Sequence, residues 1–132
     1  SCGRASLEAD LKGAGRMVHV IRIEDLPVLP VDGAAGGAAM RKIISPESVG
    51  AKHVGGEAHD LEGGASSPPF QSDEQRQFFY VLAGRAEVRL GDERRPVRTG
   101  HGVYADPGET CRFTDCGEEG FRFLRFVIGG NL

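Results

Sequence analysis

Apolar positions in this chain fall in short runs cut by Gly, Pro, Asp and Ser, with no stretch at the three-and-four spacing of a long amphipathic helix. In MVHVIRIEDL, Val18, Val20 and Arg22 share one face and His19, Ile21 and Ile23 the other, which predicts a strand over 17–24 covered on much of both sides. His19 is expected to be a hydrogen-bonded structural residue there. Pro27 and Pro30 then break regular pairing, and VDGAAGGAA bridges into MRKIIS. Strands are predicted near 39–44, 51–61, 76–83, 85–91, 102–106, 109–114 and 120–128, most of them bounded by turn residues.

Ala83-Gly84-Arg85 reads as a tight turn between two strands, the second of which points Ala86, Val88 and Leu90 inward. Gly91-Asp92 begins the next reversal and DPGE at 106–109 makes another. The last strand, FRFLRFVI, is apolar on both faces except for its arginines, as an inner strand or one covered by a partner would be. The whole pattern predicts an all-β, double-sheet jelly-roll barrel. Residues 1–16 hold Gly, Ser, Ala and alternating charges and are expected to be a flexible arm, with 17–132 a single domain.

Composition narrows the function. The net charge of −3, from 16 basic and 19 acidic residues interspersed, gives no basic field for a phosphate backbone, so a nucleic-acid partner is not expected. Arg94, Arg95 and Arg98 flank one turn and read as a solvated hairpin end. No apolar run approaches the ~18 residues that span a bilayer, and SCGRASLEADLKG lacks the apolar centre of a signal peptide. Three cysteines without a paired CxxC spacing suit a reducing, cytoplasmic setting; Cys111 and Cys116 would bridge only if a turn brought them together. The chain carries no nucleotide-binding glycine fingerprint or flavin motif, and no cofactor is expected. The doubly apolar 18–23 and 121–128 stretches predict a homodimer.

Two spacings carry the chemistry. One is Gln71-x-Asp73-x3-Gln77-x6-Gly84, and the other is Gly100-x5-Asp106-x-Gly108-x2-Cys111-x3-Asp115. This frame resembles the two motifs of the cupin family, G-x5-H-x-H-x3/4-E-x6-G and G-x5-P-x-G-x2-H-x3-N. The resemblance covers roughly 39–128. Upstream, Gly36-Gly37, Arg41, Ser45-Pro46-Glu47-Ser48-Val49-Gly50 and Gly63-Gly64 look like the small single-domain cupins associated with aromatic polyketide cyclisation. The resemblance implies a jelly-roll barrel whose three histidines and one glutamate hold a divalent metal. Position by position, those histidines fall on Gln71, Asp73 and Cys111, and the glutamate on Gln77. Ala65 stands for the first motif's leading glycine and Asp106 for the second motif's proline.

Amide oxygens are feeble ligands for transition metals, so the usual metal chemistry is not expected. A displaced site of His59, Asp73 and Cys111 has ligand types that zinc accepts and is the alternative. Otherwise the barrel is a small-molecule pocket. Desolvated Asp73 would be a general acid or base, Gln71 and Gln77 would stabilise a developing oxyanion, and Cys111 would touch the ligand, act as a nucleophile or only fill space. Phe79 and Val81 share Gln77's parity and form an apolar floor; Tyr80 has the opposite parity and is left out. His59 and Tyr104, the latter at the rim or in structural packing, complete the substrate-binding set. Gln71 and Asp73 are alternatively solvated residues of the Pro-rich loop SSPPFQSDEQRQ, its register departing from the motif.

The expected function is that of a metal-independent biosynthetic enzyme. It would carry out proton transfer, cyclisation, isomerisation or elimination on a small polyketide-like or cyclic intermediate. A non-catalytic small-molecule-binding or assembly protein, and a metal enzyme with displaced ligands, are the alternatives.

Overall fold

The short apolar runs become nine β-strands in the computed structural model, which describes residues 20–45 and 54–129. They are β1 (Leu29–Pro30), β2 (Ala38–Ile44), β3 (Val54–Leu61), β4 (Phe70–Gln71), β5 (Arg76–Leu90), β6 (Glu93–Arg98), β7 (Gly102–Ala105), β8 (Thr110–Thr114) and β9 (Phe121–Ile128). Every pairing is antiparallel. The described residues contain no α-helix, only a 3-10 turn at Ile23–Asp25, and none of their helices is long and apolar enough to cross a membrane. The all-β expectation holds, and the strand arrangement is that of a curled jelly-roll barrel.

One strand organises the rest. The first half of β5 pairs with β9 and β7, while its second half pairs with β6 and β8, so β5 runs from one sheet into the other. β1, β2, β3 and β9 extend the first sheet, and β4 joins the second beside β8. Ala83-Gly84-Arg85 is therefore a bend within a strand and not the predicted turn between two. Its register shifts between Val81 and Ala83, and Gly84 has φ +87°. A glycine with positive φ serves a bulge as readily as a reversal, which is why the local signal misled.

Two further expectations change. The strand predicted over 17–24 is not formed by its described part: residues 20–22 are irregular and Ile23–Asp25 closes a turn, with Leu26 N–H donating to Ile23 O at 3.1 Å. The remainder of that stretch, His19 included, and the 1–16 arm lie outside the described residues. Conversely, β6 forms from ERRPVR, whose only buried residue is Val97. Its pairing with β5, and not its own hydrophobicity, makes it a strand, and as an edge strand it tolerates Pro96.

The core lies between the two sheets and has phenylalanines at its centre. Phe79, Phe113, Phe121 and Phe123 pack ring against ring, with Phe113 and Phe123 centroids 4.6 Å apart. The period of two places Gln77, Phe79 and Val81 of β5 inward together, as predicted, and Ala86 and Val88 follow beyond the bend. Leu90 is partly buried against the same cluster. Cys111 and Cys116 are both free thiols.

Candidate functional site

β3, β9 and β5 lie side by side, and their register sets a polar row across the inner face of the first sheet. Glu57 on β3 stands opposite Arg125 on β9, which stands opposite Phe79 on β5. The next inward row is His59, Phe123 and Val81. Gln77 begins the inward side of β5, one diagonal step from Arg125. Diagonal neighbours of this kind are within reach of long side chains.

Four polar side chains meet here. Arg125 donates from Nε and Nη2 to Gln77 Oε1 at 3.0 and 2.7 Å, and from Nη1 to Glu57 Oε1 at 3.1 Å. His59 Nε2 donates to the same Glu57 oxygen at 2.9 Å. Gln77 is fully buried and its Nε2 donates to Phe70 O at 3.4 Å. Aromatic rings complete the walls: His59 stacks on Phe123 at 4.9 Å and 3°, its edge meets Phe70 at 5.2 Å, and the Arg125 guanidinium lies 4.8 Å over Phe70.

Burial alone would raise the Glu57 carboxyl. The hydrogen bond from His59 and the charge of Arg125 more than offset it and hold the group below its ordinary 4.5. Glu57 is thus a carboxylate at neutral pH. A carboxylate accepts only, so Nε2 of His59 carries a proton, and in the neutral ring the lone pair sits on Nδ1. Burial pushes the Cys111 thiol up to about 12, against the smaller opposing pull of Arg125. An un-ionised thiol is a poor nucleophile, and Cys111, with no exposed surface, stands where the motif would set a histidine.

Of the residues singled out from sequence, the structure brings His59, Gln77, Phe79, Val81 and Cys111 to the barrel interior. It does not bring Gln71 or Asp73. Both are exposed, and Gln71 Nε2 donates to Asp73 Oδ1 at 3.3 Å outside the barrel. The cause is the short β4, where Phe70 takes the inward position and alternation sends Gln71 out. The loop reading of these two residues is the one the structure supports. Tyr104 is also turned outward, at 50% exposure, while its neighbours Val103 and Ala105 are buried.

Sequence reasoning missed Glu57 and Arg125, although a signal was present. Arg122 and Arg125 are three residues apart on one strand and must point to opposite faces. Arg122 goes out, to Asp60 at 3.2 Å, and Arg125 shares the inward face of Phe121 and Phe123. Glu57, two residues before His59, has the same inward parity.

The donor set does not fit the divalent metal of the family pattern. Gln77 is an amide already engaged by Arg125, Cys111 is held as a neutral thiol, and Gln71 and Asp73 lie outside. A fixed guanidinium bonds the very residue at the glutamate position, and a second cation beside it would be repelled. The displaced set of His59, Asp73 and Cys111 is not assembled, and no group of three or more His, Cys, Asp or Glu among the described residues is placed to hold a metal ion.

Residues 57–128 match the model of the cupin domain family. No curated protein matches the chain. Among solved structures, a predicted oxalate decarboxylase of Thermotoga maritima is similar over 84% of this chain and 99% of that one, at 20% identity and a TM-score of 0.75. The polyketide cyclase RemF of Streptomyces resistomycificus is similar over 88% and 87%, at 22% identity and a TM-score of 0.70. KdgF of a Halomonas species is similar over 83% and 94%, at 16% identity and a TM-score of 0.68. At these identities the likeness shows the shared fold.

Proposed function

The chain belongs to the cupin domain family, and from that premise we propose a metal-independent enzyme that moves a proton on a small carbonyl compound, cyclic or polyketide-like. The reaction is an isomerisation, cyclisation or elimination. One observation carries the reading: the 2.9 Å His59–Glu57 pair faces the interior, among aromatic rings and beside a guanidinium. Likeness to a polyketide cyclase supports the substrate class, and it does so at the level of fold.

In this scheme Glu57 fixes the tautomer and orientation of His59. Nδ1 takes a proton from the carbon next to a carbonyl, leaving the electron pair in the enolate. The imidazolium so formed is stabilised by the Glu57 carboxylate, and it returns its proton to another carbon, to an oxygen or to a leaving group. Phe70, Phe79 and Phe123 keep water away, which strengthens each of these charge interactions. Proton transfer from a positioned side chain is worth about 10²–10⁴ in rate.

The experiment is deuterium exchange at carbon, followed by NMR in D₂O with aromatic ketones such as α-tetralone and with β-keto esters as probes. Wild-type protein should speed exchange next to the carbonyl and His59→Gln should not. Equal rates with and without wild-type protein across the panel would leave the barrel as a binding site without chemistry.

A further inference from the structure

We infer that the barrel site takes a planar, unsaturated substrate bearing a carboxylate or enolate oxygen, and that Arg125 holds that oxygen. The inference rests on the proposed function for the location of the site and not for its chemistry. A guanidinium has five N–H groups, and Arg125 directs three of them at Gln77 and Glu57, so five less three leaves two. Those two belong to the terminal nitrogens Nη1 and Nη2, since Nε has a single hydrogen. The side chain is 16% exposed and that of Glu57 22%, so this end of the polar row is the one a ligand can reach.

Charge points the same way. A glutamate at position 77 would oppose Arg125 with a second carboxylate; the amide that stands there accepts two hydrogen bonds without cancelling the charge. Among the described residues the carboxylate paired with the guanidinium is Glu57, which is shared with His59 through the same oxygen. With His59 neutral, the interior set sums to zero, and with His59 protonated to plus one. An added anionic oxygen therefore meets a donor fork already fixed over Phe70, and no long side chain has to be ordered for it. Phe70, the ring under the guanidinium, puts an aromatic wall beside that oxygen, with Phe79 and Phe123 packed behind it, and a flat unsaturated body is the shape such a wall favours.

Benzoate and benzamide test this, being alike in size and shape and differing in charge. Titrations followed by ¹H–¹⁵N NMR should show benzoate binding at least about tenfold tighter than benzamide to wild-type protein, the size expected of a charge-assisted hydrogen bond. Arg125→Gln should abolish the preference and Arg125→Lys should keep part of it. Glu57→Gln removes the competing carboxylate and should tighten benzoate, a change in the opposite direction that loss of folding cannot mimic. Equal affinity for the two probes, binding of neither, or weaker benzoate binding by Glu57→Gln would overturn the inference. Benzoate preference without carbon-acid exchange would remove the proposed reaction and keep the anion site, and the reverse result would do the opposite.

Discussion

Arg125 reaches across from β9 to Gln77 on β5, with Nη2 and Oε1 only 2.7 Å apart, so a fixed organic cation is bonded at the position where the family pattern sets a metal-binding glutamate. The contact ties the middle of the barrel together. It also explains a glutamine with no exposed surface, because Oε1 and Nε2 are both engaged, by Arg125 and by Phe70 O.

Gln77→Leu should therefore destabilise the fold by about 2 kcal/mol, since Arg125 loses two hydrogen bonds at a buried position. Gln77→Glu should keep the fold at neutral pH and weaken benzoate binding, because the new carboxylate neutralises the guanidinium. Urea denaturation of the two variants checks the first expectation, and the NMR titration checks the second. A stable Gln77→Leu protein would show that the contact contributes little.

The depressed carboxyl of Glu57 makes stability depend on pH. A group held below its ordinary value of 4.5 in the folded state adds stability that is fully present above 4.5 and lost as pH falls through the lower folded value. Wild-type protein should thus lose stability below about pH 4.5, and Glu57→Gln should lose less over the same window. The comparison of urea midpoints at pH 7, 5 and 3 decides it. Parallel curves for the two proteins would mean that the Glu57 pairing does not drive the acid limb.

Neither described thiol should react in the native state. Burial pushes Cys111 up to about 12 and Cys116 up to about 11, the latter helped by the neighbouring Asp115 charge. Alkylation by iodoacetamide at pH 8, read by peptide mass spectrometry, should leave both sites unmodified until denaturant is added. Rapid native modification of Cys111 would reopen a nucleophilic role.

What could be read from the chain divides by physical cause. The motif positions with positive φ keep a residue that tolerates it: Gly84, Gly100 and Gly108 remain glycine, and Asp115, at φ 54°, stands where the pattern has asparagine. Asn and Asp both tolerate that region, so the turns survived when the ligands did not. Alternation then placed Gln77, Phe79 and Val81 correctly, because a long strand fixes parity over many residues. The motif spacing misplaced Gln71, because it sits on a strand of only two residues, where one step of register reverses a side chain and Phe70 takes the inward position. Strand parity set Arg125 inward, but its pairing was not legible because its partners, Glu57 and Gln77, lie 68 and 48 residues away in the chain.

Gly84→Ala should be costly although no side chain is lost. Its backbone has φ +87°, and an added Cβ would run into the carbonyl oxygen of Gly120, which is backbone and cannot swing aside. The strained dihedral and the collision together should lower stability by at least about 2 kcal/mol. Thermal and urea unfolding check this, with Gly64→Ala as a comparison where φ is +79° but nothing lies within 4 Å of the new atom. The difference between the two variants isolates the collision at the bend of β5. Equal losses would assign the whole effect to the dihedral.

The last prediction separates the interior pair from the motif positions. Asp73 is exposed and accepts a hydrogen bond from Gln71, which is exposed too, so it lacks the desolvated setting that a general base would need. His59 is 2% exposed, stacked on Phe123 and oriented by a carboxylate at 2.9 Å. In the exchange assay Asp73→Asn should stay within about twofold of wild type, while His59→Gln should fall by about 10²–10⁴. Glu57→Gln should lie between them, since the imidazole keeps its place but loses the charge that stabilises its protonated form. Circular dichroism and urea midpoints would show whether the His59 variant remains folded before its rate is read. Loss of exchange in Asp73→Asn with full activity in His59→Gln would move the chemistry to the loop, and the barrel interior would then be a packing solution.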